Sequence, residues 1–109
     1  MADSVKKQKI MKMYSELGDD RKEFVERLVD RMLWMEKTLN KLQRTINKEG
    51  PTLVTKNGNG FTTLQENPAQ KSYNTMIRNY TSVIRQLNNM LDENSRGIVT
   101  DEFTEFLKG

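Results

Sequence analysis

Residues 50–70 read GPTLVTKNGNGFTTLQENPAQ, and this stretch decides the fold. It separates two long charged segments whose apolar residues recur at helical spacing. Gly50-Pro51 stops a helix, because proline lacks an N–H and disfavours a helical residue before it. Asn67-Pro68 starts one, with Asn67 as the cap and Pro68 in the first helical position. Between them, residues 52–55 and 61–64 are rich in β-branched and apolar side chains, and residues 56–60 hold Asn and Gly that tolerate positive φ. That pattern predicts a small β-hairpin within 51–65. A lone hairpin is marginal in water, so this one is expected to pack on a helix end or to pair with a neighbouring subunit's hairpin.

Upstream, Val25, Leu28, Met32, Met35, Leu39, Leu42 and Ile46 step by 3, 4, 3, 4, 3, 4, the a/d seam of a heptad helix. Its start is expected near Asp19 and Asp20, whose carboxylates cap free N–H groups and face the positive end of the dipole. Downstream, Ala69, Tyr73, Met76, Tyr80, Val83, Leu87 and Met90 form a second seam that runs out at Ser95 and Gly97. Ile77, Ile84 and Leu91 add a row beside it, so this face is wider than one partner helix requires. Two seams of equal length joined by a reversal predict an all-α fold: a long antiparallel helical hairpin with a small β-hairpin at the connection. Short terminal helices flank it. One spans residues 4–17, closed by Gly18, with Ile10, Met13, Tyr14 and Leu17 apolar; the other is capped by Thr100 and carries Phe103, Phe106 and Leu107. The chain thus divides into a basic N-terminal helix (1–18), a helical-hairpin oligomerisation core (19–97) and an acidic-apolar tail (98–109).

The composition agrees. A chain of 109 residues with 35% hydrophobic and 30% charged residues suits one domain of thin helices that completes its burial by oligomerising. There is no cysteine and no histidine. Disulfides, thiolate nucleophiles, imidazole bases and Cys/His zinc sites are therefore excluded. The adjacent acids Asp19–Asp20 and Asp92–Glu93 fall at expected helix ends, where solvation and, for the first pair, capping explain them without catalysis. The tip NGNG lacks the GK[ST] ending of a phosphate loop. Neither an enzyme nor a cofactor or metal is expected. No apolar run approaches the roughly 20 residues that span a bilayer. The start MADSVKKQKIMKMY has no apolar signal core, so a cytoplasmic protein without a membrane partner is expected.

Net charge is +3, unevenly placed. Lys6, Lys7, Lys9 and Lys12 make a basic head. Lys37, Lys41, Arg44 and Lys48 form a stripe opposite the first seam, and Lys71, Arg78 and Arg85 recur every seven residues on the second helix. Such stripes either track phosphates through counterion release or simply keep a helix face solvated. Phe24, Val29, Leu33 and Trp34 lie off the first seam. With Ile77, Ile84 and Leu91 they read as a subunit interface, alongside a contact to the N-terminal helix. The tail either folds back on the hairpin or presents Phe103, Phe106 and Leu107 to a partner's groove.

Three stretches carry a family resemblance: TLNKLQRTINKEGPTL, then VTKNGNGF, then QENPAQKSYNTMIRNYTSVIRQLNNML. A leucine-spaced helix ends in Gly, a polar β-like stretch follows, and Asn-Pro opens a helix with a small-residue start. This resembles the small terminase subunits of tailed bacteriophages and prophages over residues 39–91. The resemblance implies a non-catalytic DNA-packaging protein. It would assemble into a homo-oligomeric ring, recognise double-stranded viral DNA and recruit or regulate the large terminase subunit. Many such proteins carry a helix-turn-helix domain before the hairpin. Here a short basic helix stands in that place and cannot form one alone, which turns attention to lysine contacts with phosphates. DENSRGIVTDEF likewise stands where many carry a Gly-x-Thr-Pro-like segment. The rival reading is a coiled-coil structural adaptor that uses the same seams and does not bind nucleic acid.

Overall fold

The computed structural model describes residues 2–91, with side chains from residue 4 onward. The order is α1 (Ala2–Lys12), α2 (Asp19–Glu49), β1 (Thr52–Lys56), β2 (Thr62–Glu66) and α3 (Pro68–Asn89). The expected fold is the one that forms: α2 and α3 make the helical hairpin, and β1 and β2 make an antiparallel two-stranded sheet at the connection. α3 ends at Asn89, short of the expected stop at Ser95 and Gly97, because the amides of Met90 and Leu91 bond the carbonyls of Leu87 and Asn88, three residues back, at 3.2 Å. The expected C-terminal helix with Phe103, Phe106 and Leu107 and the Asp92–Glu93 pair lie outside the described residues. Among the described residues, no helix is long and apolar enough to cross a membrane.

The described residues divide into two compact units, residues 2–36 with 80–91, and residues 37–79. The first holds nearly all of the core. Val25, Leu28, Val29, Met32, Leu33 and Met35 of α2 are buried, as are Tyr80, Val83, Ile84 and Leu87 of α3, with Leu91 beyond it. The buried arc of α2 is broader than its heptad seam, because Ile10 and Tyr14 are buried in the same unit. The basic helix α1 ends at Lys12, short of the expected Leu17. From there the amides of Met13, Tyr14, Ser15 and Leu17 bond carbonyls three residues back at 3.0–3.3 Å. This tighter run brings Tyr14 inward to 1% exposure, and its hydroxyl donates to the Leu87 carbonyl at 2.8 Å.

The second unit is thinner. Leu39 is its only buried apolar side chain among the described residues. The seam residues Leu42, Ile46, Tyr73 and Met76 are only half-buried. Gly50 ends α2 at φ 88°, and its N–H donates to the Ile46 carbonyl at 2.7 Å. A left-handed residue there satisfies a carbonyl that the helix end leaves open. Asn67 is the buried keystone of the restart. Its Oδ1 accepts from the Ala69 N–H at 3.0 Å, as a cap should. Its Nδ2 donates to the Gly50 carbonyl at 2.8 Å and to Glu49 at 3.3 Å. One side chain thereby starts α3 and ties it to the end of α2. The hairpin register runs from Thr52↔Glu66 to Lys56↔Thr62. β2 begins one residue later than expected, because Phe61 closes the loop by accepting from the Asn57 N–H at 2.8 Å. Asn57 Oδ1 accepts from the amides of Asn59 and Phe61, and Gly60 takes φ 83°.

Candidate nucleic-acid interface

Charge divides as the fold does. Residues 37–79 hold seven cations against two carboxylates, a net of +5, in a chain whose total is +3. All other residues together therefore sum to −2. Between residues 37 and 48, α2 carries four cations and no carboxylate. Lys37, Lys41, Arg44 and Lys48 are exposed there, interspersed with exposed Asn40, Gln43 and Asn47. Lys71 and Arg78 are exposed on α3 and Lys56 on β1. None of Lys41, Arg44, Lys48, Lys71 and Arg78 makes an ion pair among the described residues. Exposed cations with neutral amides between them are suited to phosphate oxygens. Arg85 is also exposed but belongs to the other unit.

The basic head is arranged differently. Lys6 bonds Glu36 at 2.7 Å. Lys7 bonds Glu26 at 3.0 Å and Asp30 at 2.9 Å. Hydrogen bonds to Asp30 and then Glu26 hold the Lys7 ammonium above the usual lysine range. Glu36 is buried and also accepts from the Tyr80 hydroxyl at 2.6 Å. Two of the four head lysines thus anchor α1 to α2. Lys12 is exposed on the last turn of α1, and Lys9 is exposed too.

The residues read as a subunit interface separate into two groups. Val29, Leu33, Ile84 and Leu91 are buried within the chain, and Ile77 is half-buried. Phe24 and Trp34 remain on the surface, 48% and 58% exposed. Four apolar residues outside that set are more exposed still: Val5 at 64%, Val54 and Phe61 at 69% and Leu64 at 73%. Alternation along TLVTK and TTLQE could have placed Val54 and Leu64 on one open face of the hairpin. The Glu36 site was hidden for a different reason. A glutamate next to the seam residue Met35 reads as helix surface until Lys6 and Tyr80 are placed around it.

Among the described residues, no group of three or more carboxylates is placed to hold a metal ion. Asp19 and Asp20 are exposed in the first turn of α2. The arrangement offers polyanion binding and apolar contact. Compared with protein-family models, with curated proteins and with solved structures, the chain matches none.

Proposed function

We propose that this chain is the non-catalytic DNA-recognition and regulatory subunit of a phage genome-packaging terminase, acting as a homo-oligomeric ring in the host cytoplasm. The observation that carries the reading is the concentration of charge: a net +5 on residues 37–79, with an acid-free cationic stripe from Lys37 to Lys48. The half-buried seam of the same unit supports assembly, because Leu42, Ile46, Tyr73 and Met76 still have surface to lose. The sequence resemblance over residues 39–91 supplies the packaging context and the large subunit as partner. In this reading Lys37, Lys41, Arg44, Lys48, Lys71 and Arg78 hold DNA phosphates, and site preference comes from DNA shape rather than base contacts.

A salt titration of binding to a duplex of mixed sequence tests it. Each phosphate contact contributes about −0.9 to the slope of log K against log salt. A slope of about −4 or steeper is expected for a face of this many cations. A chain that does not bind duplex DNA at low salt is the coiled-coil adaptor instead. Light scattering that finds only monomer at micromolar concentration removes the ring.

A further inference from the structure

The outer edge of β2 is an open ladder. In an antiparallel pair, residues that exchange hydrogen bonds alternate with residues whose N–H and C=O face away. Two bonds set the phase here: Asn57 N–H to the Phe61 carbonyl and Asn67 N–H to the Pro51 carbonyl, both 2.8 Å. Counting inward along the register, Thr55↔Thr63 and Leu53↔Gln65 are the bonded pairs. Val54↔Leu64, Thr52↔Glu66 and Lys56↔Thr62 are the intervening pairs. On β2, the backbone groups of Thr62, Leu64 and Glu66 therefore point out of the sheet edge. All five side chains of β2 are exposed. Edge strands are usually blunted by lysine, proline or a bulge. β1 has Lys56 within it and Pro51 before it, whereas β2 is Thr-Thr-Leu-Gln-Glu, without lysine or proline.

We propose that β2 is a self-pairing edge that takes β2 of a second copy, antiparallel, about a two-fold axis through Leu64. That register sets Leu64 opposite its counterpart and Thr62 opposite Glu66 on either side. Every outward N–H and C=O of the three residues then finds a partner. The side chains fit the same operator. Thr52, Val54, Lys56, Thr62, Leu64 and Glu66 share one face. Val54 and Leu64 join their counterparts in one apolar row across a four-stranded sheet. Lys56 and Thr62 fall in a row with the second copy's Glu66, so opposite charges share a row and like charges do not meet. The occupant is a second copy because register, apolar row and charge are all self-complementary, as an isologous contact requires. Four strands with a shared apolar face also relieve the marginal stability of a lone hairpin. The pairing does not depend on DNA binding.

Leu64→Pro tests it, because the Leu64 N–H serves no bond inside the hairpin and an edge strand accepts proline at such a position. Val54→Pro is the matching change on the β1 edge, and Leu64→Lys guards the β2 edge while keeping the N–H. Sedimentation equilibrium reads assembly, helical circular dichroism checks the fold, and amide exchange reads the edge itself. The expected result is that the Thr62, Leu64 and Glu66 amides become protected as concentration rises. Leu64→Pro and Leu64→Lys should each weaken assembly about tenfold or more, the scale of one or two lost hydrogen bonds, and Val54→Pro should weaken it less. Three results overturn the proposal: a monomer at about a hundred times the working micromolar range, unprotected edge amides in an assembled chain, or wild-type assembly by Leu64→Pro. None of these readouts uses DNA, so they leave the DNA-binding reading to stand or fall separately.

Discussion

The two compact units are built from the same two helices and differ in what those helices bury. Residues 1–36 and 80–91 bury thirteen apolar side chains, together with the polar cluster of Lys6, Glu36 and Tyr80. Residues 37–79 bury one apolar side chain, Leu39, and one polar keystone, Asn67. Heptad patterning is continuous through both, so patterning alone does not decide burial. Two helices can shield only a narrow stripe of each other. A third element, here α1 with Tyr14, is what widens the buried arc in the first unit. The second unit has instead an exposed hairpin strand and a cationic surface.

The largest expected effect separates the two units by core truncation. Leu87→Ala should destabilise the chain by about 3 kcal/mol, the range for a fully buried leucine, whereas half-buried Leu42→Ala should cost about 1 kcal/mol or less. Denaturant unfolding of the two variants reads the difference, and equal losses would erase the distinction between the units. Next in size is the buried carboxylate. Lys6→Met leaves Glu36 with Tyr80 as its remaining bond, and stability should fall by about 2 kcal/mol, moderated because the Lys6 side chain is one-third exposed. Asn67→Ala follows. It removes the α3 cap and the donor to the Gly50 carbonyl, for about 1–2 kcal/mol. Asn67→Asp keeps the cap but sets a carboxylate against Glu49, so it should recover little of that loss. At the small end is the exposed Glu23–Arg27 pair, 3.0 Å apart on one helix face. Arg27→Gln should change stability by about 0.3 kcal/mol.

The first unit should also answer to alkaline pH. Burial pushes the Tyr14 phenol above its ordinary value. The unfolded chain ionises tyrosine near about pH 10. Above that pH the unfolded state has released a proton that folded Tyr14 retains, so the stability held at lower pH declines as pH rises. Tyr14→Phe should flatten that part of the stability curve, at the cost of the bond to the Leu87 carbonyl. A curve with the same alkaline slope in both proteins would assign the titration elsewhere.

Much of the fold was legible because its punctuation is local. Gly50-Pro51 and Asn67-Pro68 act through φ, a missing N–H and a short side-chain acceptor, all of which can be read without knowing what lies nearby. The β-hairpin was legible for the same reason, through Asn57 and Gly60. What could not be read was long-range. Four lysines in the head are visible in the sequence, but nothing local says that Lys6 meets Glu36 thirty residues away, or that Lys7 meets Glu26 and Asp30. Val29, Leu33, Ile84 and Leu91 lie off a two-helix seam and so read as surface for a partner. They are buried because the first unit packs more than two segments. The cationic stripe was visible by spacing. Its contrast with the rest of the chain depends on the division at residues 36 and 80, which no local pattern marks.

We propose that the cations of residues 37–79, and not those of the head, hold DNA. Two quadruple variants decide it by fluorescence anisotropy on one labelled duplex: Lys37, Lys41, Arg44 and Lys48 to Gln, against Lys6, Lys7, Lys9 and Lys12 to Gln. The stripe variant is expected to lose affinity by about a hundredfold or more at low salt, with a salt slope shallower by about 3. The head variant should keep most of its affinity in proportion to what remains folded. Equal affinity of the stripe variant and the unmodified chain, or a larger loss in a folded head variant, would contradict the account.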